Sequence, residues 1–381
     1  MIRHAPESAR ETADVLLSCQ TERKTIELGG RFGKNRLGGT APPAQVRVSL
    51  CALDRVLQYE PKDLTISVEA GLRWRDMANL LAENRQMVPL DPPFADHATV
   101  GGVVVSNLCG PRRRWFGSAR DSVIGMQFAT MGGKLVQSGG MVVKNVAGLD
   151  MGKLLIGSLG TLGAVVSVNF KLVPMPPATR TFVFHFGALK AAAEKRNAIL
   201  AGVLQPWALD LLNPHAAALI GDEGWVLAVQ AGGSGKLVER YERELVGSRI
   251  LSGSEESSFW HSIQEFTPTF LTERTMGCVV RICVPLMEVP AVLEHSPVPT
   301  VARAGNGVCH AHFADLSGAT HWLEEAERLG WRGVVEFHGS EGGSPEQLWP
   351  KPGRDLDVML RIKNMLDPGH LLNRGRLNGR I

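Results

Sequence analysis

The sequence predicts an α+β chain of two domains, and three observations carry that expectation. Its 381 residues exceed one ordinary domain and suffice for two, each with a core large enough to fold without staples. Residues 99–173 read as glycine-turned hairpins and not as a βαβ repeat, whereas strands and helices alternate in a different rhythm beyond them. Between the two regions, VPMPPATR at 173–180 places three prolines that interrupt both helix and strand patterns.

In chain order, an opening helix is expected over residues 6–18, with Ala9, Ala13, Leu16 and Leu17 on one face. A short strand, TIEL at 25–28, runs straight into GGRFGKN. LTISVEA sets Leu64, Ile66 and Val68 against Thr65, Ser67 and Glu69, the alternation of a half-buried strand. The helix after it carries Trp74, Met77, Leu80 and Leu81 on its apolar stripe, and DPP at 91–93 ends the segment. TVGGVVVS at 99–106 is a short apolar run in a mostly β unit; SVIGMQFATM turns at Gly132 and Gly133 into KLVQSGG, and VVSVNFKLVP alternates with period two.

Beyond the prolines come TFVFHF, a helix over 188–203, WALDLL, WVLAVQ, a helix over 235–246, CVVRICV, GVCHAHF, a helix over 319–329 and GVVEFHG. These read as one antiparallel sheet covered by helices. Ser344 and Pro345 suit an N-cap and a first helical position; the helix they open includes Met359, Leu360 and Leu366 and ends before Pro368.

Composition excludes several classes of function. A formal charge of +3 is nearly neutral at this length and calls for neither nucleic acid nor an anionic membrane surface. No apolar run approaches the roughly 20 residues that span a bilayer. The first residues, MIRHAPESARETADVLLSCQ, lack the apolar core and cleavage site of an export signal, so a cytoplasmic location is expected. Six cysteines, at 19, 51, 109, 278, 283 and 309, show none of the two-residue gaps typical of zinc or iron–sulfur ligation.

Two glycine-rich segments can hold a ligand. GGRFGKN follows a strand, where backbone amides can cradle a phosphate with Arg31 and Lys34 supplying charge; the same stretch also reads as a plain tight turn. GSLGTLG at 157–163 has the glycine spacing of a dinucleotide fingerprint, but that fingerprint needs a strand before it, a helix after it and an acid about 20 residues on. Here LDMGKLL precedes it as a helix, AVVSVNFKLV follows as a strand, and the proline linker stands where the acid should be. A nicotinamide site of the Rossmann type is therefore disfavoured.

The stretch from ATVGGVVVSNLCGPRRRWFGSARDSVIG through KNVAGLDMGKLLIGSLGTLGAVVSVNFKLVPMP resembles the FAD-binding domain of the vanillyl-alcohol oxidase and p-cresol methylhydroxylase (PCMH-type) family. Within it, GPRRRWFGSARD, VVKNVAGLD and the tail MLDPGHLLNRGRL look most like the FAD-binding subunits of glycolate oxidase (glycolate dehydrogenase). The resemblance is strong over about residues 25–175, moderate in the tail and weak over 180–340. It implies a PCMH-type FAD-binding domain at 1–177 made of two α/β subdomains, about 1–95 and 96–177. It also implies a C-terminal antiparallel-sheet cap domain with helices at 178–343, and a helix and tail at 344–381 returning to the FAD domain.

By the same resemblance the pyrophosphate loop is Gly29, Gly30, Arg31, Phe32 and Gly33, while Pro92, Pro93, Thr99, Gly101, Gly102 and Ser106 line the pyrophosphate and the flavin ring. Gly110, Gly117 and Asp121 fall in the next family loop; Asp150, Gly157, Gly160 and Val165 complete the pocket, and Asn373 closes over the flavin. Family members that attach FAD covalently use a histidine in the first loop or a cysteine near the flavin; here Lys34 and Asn35 stand in that region, so noncovalent FAD is expected, with Cys109 the remaining candidate for attachment. The tail reads Asn373, Arg374, Gly375 where the family usually has Asn-Pro-Gly.

Arg112, Arg113 and Arg114, beside Trp115, can pair with a small carboxylate, or form a solvated or partner-docking patch; docking or solvation is expected for at least two of them. Lys144 and Asn145 sit in a motif the resemblance places near the flavin. His310 and His312 lie two apart and so share one face of a strand, as metal ligands would; with His338 merely a guess for a third, no metal is expected. His97 reads as a structural hydrogen-bonder. No catalytic base is identified.

The implied function is oxidation of a 2-hydroxy acid, glycolate or D-lactate, to the 2-oxo acid. Electrons then pass to an iron–sulfur subunit in a complex that also holds a larger FAD-containing glycolate oxidase subunit, either in the cytoplasm or peripheral to the inner membrane. Two alternatives stand beside it: a noncatalytic electron-relay or assembly flavoprotein subunit, and a free-standing FAD-dependent alcohol oxidoreductase.

Overall fold

Ser8 accepts a hydrogen bond from the Glu11 N–H at 3.1 Å and so starts the first helix, Ala9–Thr21, which buries Thr12, Ala13, Leu16 and Cys19. The computed structural model describes residues 1–142, 150–339 and 342–381, and these divide into two units. The first comprises Met1–Leu108, Gly117–Met175 and Pro352–Ile381; the second comprises Cys109–Phe116 and Pro176–Lys351.

The first unit holds a three-stranded parallel sheet in the order Ile2–His4, Val46–Ser49, Ile26–Gly29. Its short strands alternate buried and half-buried positions at 26–29 and 46–49, and the first helix packs its apolar stripe there through Ala13 and Leu16. A five-stranded antiparallel sheet follows in the order Val56–Glu60, Thr65–Glu69, Ala164–Lys171, Val123–Ala129, Leu135–Gly139. Two of these strands precede residue 95 and three follow it, so one sheet spans the expected subdomain boundary. Strand Thr65–Glu69 is buried at every position and not half-buried, since Glu69 is paired with Arg55 at 2.8 Å and Thr65 and Ser67 are covered as well.

TVGGVVVS forms the helix Val100–Ser106 and not a strand. Thr99 caps it, and Val100, Val103 and Val104 are buried in the core, so packing overrides the β preference of valine. GSLGTLG follows the helix Gly152–Leu155 and precedes the strand Ala164–Lys171, the helix–turn–strand order opposite to a dinucleotide fingerprint.

The second unit is built on one eight-stranded antiparallel sheet. Its order is Arg249–Leu251, Ala178–Phe186, Trp225–Gly233, Ala208–Leu212, Thr300–Arg303, Val308–Phe313, Cys278–Cys283, Arg332–His338. One face packs a core including Phe182, Leu211, Leu227, Val280 and Trp322; the other packs Ala208, Val226, Trp260 and Ile263. Helices Gly253–Gln264 and Phe266–Glu273, not anticipated from the periodicity, belong to that second face.

The C-terminal segment forms two helices where one was expected: Pro345–Leu348, closed by a Ser344 and Gln347 capping box, and Asp355–Leu366. Pro350, Pro352 and Gly353 lie between them and prevent a continuous helix.

Candidate functional site

In the first unit, the parallel strand Ile26–Gly29 ends in the GGRFGKN loop, which Phe32 reverses at φ 56°. The Phe32 ring covers Gly29, where a β-carbon would lie 2.8 Å from a ring atom, and the Arg47 guanidinium sits 4.7 Å from the ring centroid. Gly30 lies against Thr99 so closely that a β-carbon would stand 2.5 Å from its hydroxyl oxygen. Thr99 Oγ1 accepts a hydrogen bond from the Gly102 N–H at 3.2 Å, and the Gly101 N–H donates to the Ala70 carbonyl at 2.7 Å. The Lys34 ammonium donates to the Gly102 carbonyl at 3.4 Å and stands 5.9 Å from the Phe94 ring centroid. Gly29 thus packs on Phe32, Gly30 on Thr99 and Gly101 on Ala70, while Lys34 reaches the same loop through Gly102. Arg31 and Gly33 are exposed, and the β-position of Gly33 faces open space.

The glycine turn at 157–163 joins this assembly. The Gly157 and Leu159 N–H groups donate to the Val104 and Val105 carbonyls at 3.2 and 2.8 Å, which hooks the turn onto the end of helix Val100–Ser106. Gly157 and Gly160 take φ of 79° and 70°, and a β-carbon on Gly160 would lie 2.7 Å from the Asn373 amide nitrogen.

Asn373 links the two glycine segments. Its Oδ1 accepts from the Leu28 N–H at 2.7 Å, and its Nδ2 donates to the carbonyls of Leu28 and Leu159 at 3.0 and 2.9 Å. Its amide therefore ties one backbone segment to another.

The remaining expected residues fall in several settings. Pro92 is buried and Pro93 half-buried, and the Ser106 hydroxyl donates to its own helix at the Val103 carbonyl, 3.2 Å away. Val165 is buried in the five-stranded sheet opposite Phe128, next to a register shift between Gln127 and Phe128. Gly117 and Asp121 form a local capping structure: the Asp121 carboxylate accepts from the Ser118 N–H at 2.8 Å and its hydroxyl at 3.2 Å. Asp150 is exposed ahead of helix Gly152–Leu155. Gly110 belongs to the second unit with the rest of Cys109–Phe116. Lys144 and Asn145 lie outside the described residues, and His97 is exposed.

Sequence reasoning missed three tail residues. The Lys363 ammonium, about 1% exposed, donates to the Thr161 carbonyl at 2.8 Å, the Leu372 carbonyl at 2.9 Å and the Asp367 carboxylate at 2.7 Å. Burial lowers its pKa and Asp367 opposes that shift. Arg376 donates to the carbonyls of Asn35, Leu37 and Gly39 at 2.9, 2.7 and 3.2 Å. In the sequence a Lys–Asp pair four apart on a helix looks like an ordinary surface pair, so nothing singled it out.

In the second unit, two of the three clustered arginines are held by hydrogen bonds within the unit and are not simply solvated. Arg112 donates to the Gln230 side chain at 3.1 Å, and Arg114 to the Gly305 carbonyl and the Gln205 side chain, both at 3.1 Å; Arg113 is exposed.

The histidine pair points to one face of its strand without converging on a common point. His312 is held by the Thr267 hydroxyl at 2.9 Å and the Pro299 carbonyl at 3.1 Å, and burial, with His310 nearby, pushes its pKa down to about 3. His310 instead stands 3.4 Å from Glu336, which also pairs with Arg281 at 2.9 Å. Burial opposes ionisation of Glu336, yet Arg281 and His310 hold its carboxyl below the ordinary range. Among the described residues no group of three or more His, Cys, Asp or Glu side chains is placed to hold a metal ion, and no helix is long and apolar enough to cross a membrane.

The family described as an FAD binding domain matches residues 3–139 of this chain. The glycolate oxidase subunit GlcD of Bacillus subtilis is 31% identical over 414 residues, covering 98% of this chain and 88% of that protein. The glycolate oxidase subunit GlcE of Escherichia coli is 28% identical over 333 residues, 84% of each chain. A D-2-hydroxyglutarate dehydrogenase of Xanthomonas citri pv. viticola is 32% identical, covering 92% of this chain and 83% of that protein. Among solved structures, a 4-ethylphenol oxidase from Gulosibacter chungangensis shares the fold with a TM-score of 0.74 at 14% identity, over 99% of this chain and 89% of that one.

Proposed function

This chain belongs to the PCMH-type FAD-binding flavoprotein family, and from that premise we propose that it is an FAD-dependent oxidoreductase subunit acting on a small 2-hydroxy acid such as glycolate or D-lactate. FAD is its cofactor. The observation that carries the reading is the glycine-built cradle of the first unit, where the backbone at Gly30, Gly101 and Gly160 approaches its neighbours too closely for any side chain. A cradle of that kind fits an extended phosphate-bearing cofactor, because backbone amides can reach the anion.

In this reading Gly29, Gly30, Arg31, Phe32 and Gly33 hold the pyrophosphate, with Lys34 supplying charge. Pro92, Pro93, Thr99, Gly101, Gly102, Ser106, Gly157, Gly160 and Val165 line the rest of the pocket. Gly110, Gly117 and Asp121 form the next loop, Asp150 helps complete the pocket, and Asn373 closes over the flavin. We read the binding as noncovalent, since residues 29–36 include neither His nor Cys, which leaves Cys109 as the remaining candidate for attachment. When bound, the flavin accepts a hydride and releases electrons singly. The first unit forms the FAD-binding part and the second the substrate-facing cap, with Cys109–Phe116 and residues 344–351 going to the second unit and not to the expected FAD domain.

Relatives named as glycolate oxidase subunits support membership of a multi-subunit complex. Its other members would be a larger FAD-containing subunit and an iron–sulfur subunit that takes the electrons, which suits a chain whose cysteines are not clustered. Such a complex would lie in the cytoplasm or peripherally on the inner membrane. A second reading, a relay or assembly subunit that never meets substrate, is favoured by the second unit's histidines: His312 is occupied at both nitrogens, and His310 faces Glu336.

Anaerobic mixing of the FAD-loaded chain with glycolate or D-lactate separates the two. Bleaching of the oxidised flavin band by the chain alone supports direct oxidation, whereas bleaching only after addition of the larger subunit supports relay. Absence of bleaching under both conditions overturns both.

A further inference from the structure

We infer that the C-terminal tail, residues 363–378, is the positioning element of the cofactor loop, so that FAD affinity depends on Lys363 and Arg376. The inference rests on the reading that GGRFGKN holds the FAD pyrophosphate. That loop runs from the end of strand Ile26–Gly29 to Asn35, and the tail fastens both of its ends.

At the entry, the tail extends the parallel sheet: the Ile26 N–H donates to the Leu371 carbonyl at 2.8 Å and the Asn373 N–H to the Ile26 carbonyl at 2.9 Å. The Asn373 amide then clasps both backbone groups of Leu28. At the exit, the Arg376 guanidinium gathers the carbonyls of Asn35, Leu37 and Gly39, and the Asn378 N–H donates to the Gly38 carbonyl at 2.7 Å. The second glycine segment is fastened to the same tail through Lys363 on Thr161 and Asn373 on Leu159.

Lys363 is the hub. Its ammonium joins the helix Asp355–Leu366, the sheet-extending residue Leu372 and the glycine turn, while Asp367 accepts from the Leu371 and Leu372 N–H groups at 3.1 and 2.9 Å and neutralises it. A buried cation with this partner set holds one geometry, because each bond lost leaves a buried carbonyl without its donor. Besides Asn373, the loop is therefore preorganised by Lys363 and Arg376, which stand outside the set that cradles the cofactor, and tail docking and FAD binding are thermodynamically linked.

The test uses full-length protein stripped of FAD and titrated with FAD, read by quenching of flavin fluorescence, with a thermal melt of each apoprotein to fix a temperature at which it is folded. Lys363→Met and Arg376→Ala are expected to weaken FAD binding by about tenfold or more, and Arg376→Lys to recover part of the loss. By reciprocity, FAD should slow proteolytic cleavage of the tail in the wild type, and less so in the variants. FAD affinity unchanged in Arg376→Ala, or tail cleavage equally fast with and without FAD, overturns the inference even if Lys363→Met does not fold. A wild-type chain that takes up no FAD overturns the underlying reading itself.

Discussion

The Asn373 side-chain amide satisfies one N–H and two carbonyls at once, in a residue about 5% exposed that takes φ 46°. Replacing it with alanine leaves those groups without partners, each costing on the order of 1–3 kcal/mol. Asn373→Ala should therefore destabilise the fold by about 3 kcal/mol or more, seen as a lower urea midpoint with the slope unchanged. His312 gives a pH prediction. Its folded pKa, about 3, lies below the ordinary 6.5, so the unfolded chain binds the proton first and stability falls as pH drops from about 6.5 toward 3. His312→Asn should flatten that acid limb in chemical denaturation series at pH 7, 5.5 and 4; an unchanged limb would show that other groups set it. At this scale the sequence revealed Asn373, through its resemblance to a family motif, but not Lys363, because burial of a lysine depends on contacts hundreds of residues away in the chain.

Among the elements, the helix Val100–Ser106 and the glycine turn carry most of the site's architecture. Three successive valines and two glycines looked like strand and turn material, and the Thr99 cap shows only in the fold. The cap is also where Gly30 packs, so Thr99→Ala should cost about 1 kcal/mol of stability and weaken FAD binding together. Thr99→Ser, which keeps the hydroxyl, should retain more of both, as paired melts and flavin titrations would show. The order helix, glycine turn, strand at 152–171 was legible, because alternation in AVVSVNFK is unambiguous and excludes the nicotinamide fingerprint. Less legible was the strand Ile2–His4, too short and exposed to leave a pattern.

Across the whole molecule, the proline run at 173–180 marks the place where the main chain passes from the first unit to the second, and the strands and helices read beyond it as one helix-covered antiparallel sheet form such a sheet. Hidden from the sequence was the assignment of Cys109–Phe116 to the second unit. GPRRRW reads as a solvated basic loop, and its structural use appears only once Gln230, Gln205 and Gly305 are brought to it by the fold. One noncovalent FAD is expected in the first unit, and the visible spectrum and flavin stoichiometry of the purified full-length chain after reconstitution with FAD test this directly. The expected result is a yellow protein with about one FAD per chain, released intact on acid precipitation; a colourless protein that takes up no flavin would contradict it.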